Sequence, residues 1–264
     1  FNVNICQLPF WALSVLYAWK GFKDNKILDW LLLGLFAALG ILSKYLFIYL
    51  LAAMNIFFCY MIIKKRINLK SLISLIPFFL ILLPHLIWLT ENNYITITYA
   101  LHRSADIFYA GEPQFLNHLK YPAVFLLKQI LLMIPFFLMI LFIVNKFKIK
   151  LNFKDKKMAF LIAINIIPFV LVFLTSLFFG INIRTMWMTP FYLFYGVMVI
   201  YILQKYINLK KINLFYSVFL FLFIISPTLY LFNSVAKKDQ RIDYPAKEVA
   251  FEVKKNWNRT FKND

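Results

Sequence analysis

From Ile27 to Ile63 the chain is apolar for far longer than one bilayer crossing. As a single α-helix, at about 1.5 Å per residue, this stretch would reach about 55 Å, against a hydrocarbon core of roughly 30 Å. It must therefore double back, and Ser43-Lys44 near its middle is the natural break. Two short spans joined by a tight turn are expected here.

The same reading extends to the rest of the chain. Apolar runs at 1–19, 71–89, 122–144, 158–179, 188–203 and 212–232 are each of a length that suits one crossing. Pro77 and Pro84 lie inside one of them, which membrane helices tolerate when neighbours re-satisfy the freed carbonyls. The sequence is 62% hydrophobic with a mean hydropathy of +0.74, which excludes an ordinary soluble domain. The fold expected is an all-α polytopic membrane protein with about eight transmembrane spans. Its body covers residues 1–232, and a polar extracytoplasmic region begins at 233–264.

A net charge of +18 would suit a nucleic-acid partner if it were spread along one face. Instead the lysines cluster in short loops between apolar runs, at 20–26, 64–70, 146–157 and 204–211. That is the positive-inside pattern, and it argues for membrane lipids and against nucleic acid. With these loops in the cytoplasm, every alternate connection falls outside: Ser43-Lys44, the long segment 90–121, the turn around Arg184, and the C-terminal tail. Cys6 and Cys59 lie within apolar runs and read as buried or lipid-facing thiols. The chain opens at Phe1, already inside an apolar run, which is expected of a piece of a longer protein.

Thr90 to Tyr121 is the longest polar segment bracketed by membrane runs. It holds Glu91, His102, Arg103, Asp106, Glu112 and His118, and it is expected to lie over a site. Lys44 is either a snorkelling interface lysine or a phosphate ligand at headgroup level. Arg184, beside Trp187 and Pro190, is either an interface anchor or a fork for phosphate or carboxylate oxygens. Glu91 either pairs with one of these cations or is solvated. His102 and Arg103, between Tyr99 and Tyr109, suit sugar stacking and phosphate contact, or equally a helix lying in the headgroup plane. His85, just after Pro84, reads as an interhelical hydrogen-bonding group. The spacing of His and carboxylates matches no zinc motif, so neither a metal site nor a cofactor is expected. There is no G-x-S-x-G, no P-loop and no paired catalytic carboxylates on one segment.

Four blocks in order resemble the bacterial family 39 glycosyltransferases. These are GT-C enzymes that include the aminoarabinose transferases of lipid A and are related to the protein O-mannosyltransferases. The blocks are Leu31 to Tyr45 (LLLGLFAALGILSKY), Pro84 to Arg103 (PHLIWLTENNYITITYALHR), Arg184 to Tyr192 (RTMWMTPFY) and Asp243 to Trp257 (DYPAKEVAFEVKKNW). The resemblance implies a GT-C-type helical bundle in a bacterial inner membrane with an extracytoplasmic active face. It implies sugar transfer from a polyprenyl-phosphate-linked donor to lipid A, another glycan or a protein. It also implies that the catalytic acidic residue lies before Phe1; Lys44 and Arg184, gathered on one outer face, are the candidate donor-phosphate ligands. Glu91, His102, Arg103 and Trp187 would be substrate-positioning groups. The rival readings are a transporter or lipid flippase, and a non-catalytic membrane scaffold.

Overall fold

The computed structural model describes residues 3–67, 69–104, 114–149, 151–236 and 244–261, with the side chains of 102–104 and 114 excluded. The chain is an all-α polytopic membrane protein. Among the described residues no strand forms; a single antiparallel bridge joins Val144 to Ile207.

The helices follow the apolar runs. α1 (Val3–Asp24), α2 (Ile27–Ser43), α3 (Ile48–Ile63), α4 (Leu75–Glu91) and α5 (Ile95–Ser104) fill the first part of the chain. α6 (Gln114–Ile143), α7 (Lys156–Phe179), α8 (Tyr195–Leu203), α9 (Ile212–Ala236) and α10 (Ala246–Thr260) follow. Short 3-10 helices at Tyr45–Phe47, Leu69–Ser74 and Thr185–Tyr192 lead into α3, α4 and α8. The long run does break where expected: α2 ends at Ser43, and Lys44 is extended before the next turn begins.

Among the described residues, five helical segments are long and apolar enough to cross a membrane, and six if the bent pair Thr185–Tyr192 and Tyr195–Tyr206 is one span. That is fewer than the eight expected, and the difference falls on the first two helices. α1 carries Asn4, Gln7, Ser14 and a charged last turn, and α2 has 17 residues. Both are helical and pack on each other, and α2 also packs on α4.

The chain divides into two compact units. The first comprises 1–134 and 144–207 and holds the core; the second comprises 135–143 and 208–264. In the first unit, Trp11, Trp30, Phe47, Phe125, Met188 and Phe191 are fully enclosed. Lipid is as apolar as leucine, so close packing and small residues, not burial from water, hold such helices together. Gly34 shows this: a Cβ there would stand 2.0 Å from the Ser74 carbonyl oxygen, so only glycine lets α2 approach the turn before α4. In the second unit, α9 buries no residue, and Phe221, Phe223, Ile224 and Tyr230 are all exposed. An apolar surface of that extent on a span is suited to lipid.

The long segment after α4 is more helical than a loop. α4 runs to Glu91, α5 occupies 95–104, and α6 starts at Gln114. His118 therefore sits on a membrane helix and not in the connection. Residues 105–113, with Asp106 and Glu112, lie outside the described residues.

Candidate functional site

The site starts from a polar stripe on an apolar helix. Asn4, Gln7, Trp11 and Ser14 recur at helical spacing along α1, and all four are buried. The Trp11 indole meets Phe47 edge-on at 5.5 Å and Phe191 at 4.9 Å. These contacts seat α1 between the turn that follows α2 and the 3-10 helix that leads into α8. Asn4 and Gln7, one turn apart, then face the break between α2 and α3.

Lys44 occupies that break. Its carbonyl accepts from the backbone N–H of Phe47 at 3.0 Å and from Gln7 Nε2 at 3.3 Å. Its ammonium donates to Asn4 Oδ1 and stands 5.4 Å from the ring centre of Trp187. Among the described residues no carboxylate pairs with it. Burial lowers its pKa from the ordinary lysine value to about 8, because an ammonium removed from water without a counter-ion loses its charge more readily. A half-buried cation held by an amide oxygen and an indole is a ready partner for an anion.

Tyr45, the next residue, builds a second cluster. Its hydroxyl bonds His85 Nε2 at 2.8 Å and Thr96 Oγ1 at 2.7 Å. The imidazole of His85 also stacks on Trp88, with centroids 5.8 Å apart and planes 14° from parallel. One phenol therefore ties the break after α2 to α4 and to α5. The interhelical hydrogen bond expected of His85 is present, with Tyr45 as its partner.

The remaining sequence candidates are distributed as follows. Arg184 is exposed at the start of the 3-10 helix that carries Trp187, and its carbonyl accepts from the Trp187 N–H at 3.0 Å. Trp187 thus meets the Lys44 ammonium with its ring and Arg184 only through the backbone of a shared turn. Glu91 is exposed at the end of α4 and pairs with neither Lys44 nor Arg184. His102 and Arg103 fall on the last turn of α5, and their side chains lie outside the described residues. His118 donates from Nδ1 to the Leu177 carbonyl at 2.9 Å, satisfying one of the orphan acceptors at the end of α7. Gly180 follows in the left-handed conformation (φ 61°), and a Cβ there would press on the His118 ring at 3.1 Å. His118 is therefore a cap for α7. Among the described residues no group of His, Cys, Asp and Glu is placed to hold a metal ion.

Four residues of the cluster escaped the sequence reading: Asn4, Gln7, Tyr45 and Thr96. The signal for the first two was present, since amides one turn apart in an otherwise apolar helix must face protein. Gln7 Oε1 and Ser14 Oγ are buried without a partner, and such orphans call for a water or a ligand hydroxyl.

Residues 1–88 match the family model described as dolichyl-phosphate-mannose-protein mannosyltransferase. The match covers α1 to most of α4, so Asn4, Gln7, Lys44, Tyr45 and His85 lie within it, while Thr96, Arg184 and Trp187 lie beyond it. It supports a GT-C glycosyltransferase-like family for this part of the chain. Comparison with curated proteins and with solved structures gave no match.

Proposed function

We propose that this protein moves a sugar from a polyprenyl-phosphate donor to a lipid, glycan or protein acceptor, on the extracytoplasmic face of a bacterial inner membrane. The observation that carries this reading is Lys44: a cation at a helix break, gripped by Asn4 and Trp187, with no carboxylate paired to it among the described residues. The family match over the same helices supports the reaction class.

In this reaction the bond between the anomeric carbon and the donor phosphate oxygen breaks, and the acceptor hydroxyl oxygen bonds to that carbon. The acceptor proton passes to a base, and the bonding pair leaves with the lipid phosphate. Negative charge grows on the phosphate as the bond breaks. A cation already placed there stabilises the transition state more than the ground state. Lys44 takes that role, and Arg184, one turn before Trp187, contributes a second cation to the same phosphate. Trp187 holds the Lys44 ammonium in place and offers an aromatic face for the sugar. Glu91, His102 and Arg103, at the two ends of the α4–α5 corner, orient the acceptor. The lipid chain of the donor runs along the exposed apolar faces of the spans.

The test is transfer of label from a radiolabelled polyprenyl-phosphate sugar to a membrane acceptor by the purified protein. Loss of transfer in Lys44→Ala and Arg184→Ala supports both the activity and the site. Transfer that survives both changes removes the site and keeps the activity. Absence of transfer with every donor, together with sugar-lipid flux in vesicles, overturns the enzyme reading in favour of a flippase.

A further inference from the structure

At the other end of α2 from Lys44, three connections converge on a cavity of about 470 Å³. Lys23 and Asn25 line it from the α1–α2 connection, Lys65 and Arg66 from the end of α3, and Lys156 from the start of α7, together with Phe22. Four of these residues are cations and none is a carboxylate. Of the nearby acids, Asp24 stands 3.9 Å from Lys23, both exposed, and offsets that one cation in part. Asp155 uses Oδ1 to cap α7 at the Lys157 N–H (3.0 Å) and Oδ2 to accept from Tyr201 (2.5 Å).

The backbone of this cavity is itself unusual. α3 ends with Arg66 N–H on the Met61 carbonyl and Lys65 N–H on the Ile62 carbonyl, both at 2.8 Å. This closing pattern puts its last residue in the left-handed region, where glycine is favoured. Here that residue is Lys65, with φ 54°. Asn25, across the cavity, is also left-handed at φ 51°. A lysine retained where glycine would be unstrained keeps its ammonium at a conformational cost. Arg66 Nη1 is anchored on the Lys154 carbonyl at 3.4 Å, and Lys156 Nζ lies 5.6 Å from the Phe22 ring centre. Arg66 and Lys156 are thus fixed at the cavity by a backbone contact and an aromatic contact.

We infer that this cavity is a binding site for the phosphate headgroup of an anionic phospholipid in the adjacent leaflet. A concentration of cations at the ends of membrane helices, enclosing a space of this size, is the arrangement that takes such headgroups. A lipid is favoured over a free phosphate because Lys65, Arg66 and Lys156 stand at the ends of helices long enough to cross a membrane, beside exposed Ile63 and Leu69. The site is separate from the sugar-transfer cluster, lying a full helix away along α2, and its occupancy does not depend on that activity.

The experiment is native mass spectrometry of the protein released from nanodiscs of phosphatidylcholine with or without phosphatidylglycerol. The test variant is Lys65→Gly with Lys156→Gln. Lys65→Gly relieves the left-handed strain, so the fold is retained while the cation is lost. The control is Lys210→Gln with Lys211→Gln, which removes equal charge from a basic loop outside the cavity. Wild type and control are expected to retain phosphatidylglycerol, and the cavity variant to retain it at least tenfold less. Equal retention by all three, or equal loss in the control, overturns the inference. Displacement of the lipid by millimolar inorganic phosphate also overturns it, in favour of a soluble anion. If the double variant does not yield folded protein, Lys23→Gln alone, at an exposed position, carries the same expectation with about a fivefold loss.

Discussion

The ammonium of Lys44 donates to the side-chain oxygen of Asn4, 40 positions earlier in the chain. The amide meets the cation because Trp11, two turns further along α1, is clamped between Phe47 and Phe191. A polar residue in the first helix therefore aims a cation that belongs to the break between the next two. The two residues form one structural unit across the two helices.

Lys44→Met keeps the length of the side chain and removes its charge. Sugar transfer is expected to fall by about 10²–10³ in kcat, the range for losing one preorganised electrostatic group in a site shielded from water. Asn4→Leu leaves the charge but not its aim, and a smaller loss is expected. Steady-state kinetics on both variants decide the matter. An unchanged kcat in Lys44→Met excludes the residue from the phosphate site.

The acidity of Lys44 predicts a pH dependence. Burial lowers its pKa to about 8, so the ammonium is charged below that value and neutral above it. If the charged form binds the donor phosphate, kcat/KM in the wild type holds up to about pH 8 and then declines about tenfold per unit. Lys44→Arg carries a guanidinium that stays charged throughout this range. Its alkaline decline is expected to shift upward or vanish, whatever its absolute rate. A wild-type profile flat to pH 10 would separate Lys44 from the reaction.

Tyr45→Phe removes one hydroxyl and two hydrogen bonds, leaving His85 Nε2 and Thr96 Oγ1 without their partner. A destabilisation of about 1–3 kcal/mol is expected from the stranded groups. Thr96→Val removes one of the two bonds, and its cost is expected to be smaller, about 1 kcal/mol. Unfolding in detergent, followed by far-UV circular dichroism, compares the two. If Thr96→Val costs as much as Tyr45→Phe, the hydroxyl does not bridge the helices.

Two glycines give opposite expectations from the same substitution. Gly34→Ala would drive a Cβ to 2.0 Å from the Ser74 carbonyl oxygen, a backbone atom that cannot swing aside. Overpacking of about 1–3 kcal/mol is expected. Gly196, within α8, has nothing within 4 Å of the added carbon. Gly196→Ala is expected to stabilise by about 0.5–1 kcal/mol through helix propensity and a less flexible unfolded chain. Melting curves of the pair check the packing of α2 directly; equal effects would contradict it.

Much of the helical architecture was legible because it follows from a length mismatch between apolar runs and a bilayer. The Ile27–Ile63 stretch is too long to cross once, so a break had to occur, and Ser43-Lys44 was its most polar point. The sorting of connections to two ends was legible for a related reason. Lys65, Arg66 and Lys156 meet around one cavity, while Lys44 and Trp187 meet at the far end of α2. Charge alternation along the sequence carries that information because each crossing reverses the end.

Element boundaries were less legible. The segment after α4 read as a loop through Tyr121, yet α6 begins at Gln114. Polar residues such as Asn117, His118 and Lys120 mask the helix, since its first turns lie beyond the purely apolar run. His118 looked like a loop residue and is instead the cap of α7, a role set by the Leu177 carbonyl 59 positions away.

By itself, the sequence determined an all-helical membrane chain, the break at Lys44, and the separation of Lys44 from the basic residues Lys65, Arg66 and Lys156. Hydrophobic length and charge placement are local properties, and a membrane converts them into topology without further information. Only the tertiary structure decided the partners: Asn4 and Trp187 for Lys44, His85 and Thr96 for Tyr45, and a shared cavity for Lys65 and Lys156. Those pairings depend on how helices rotate and approach, which small residues such as Gly34 permit and aromatic wedges such as Trp11 enforce. No pattern along one helix records the rotation of its neighbour.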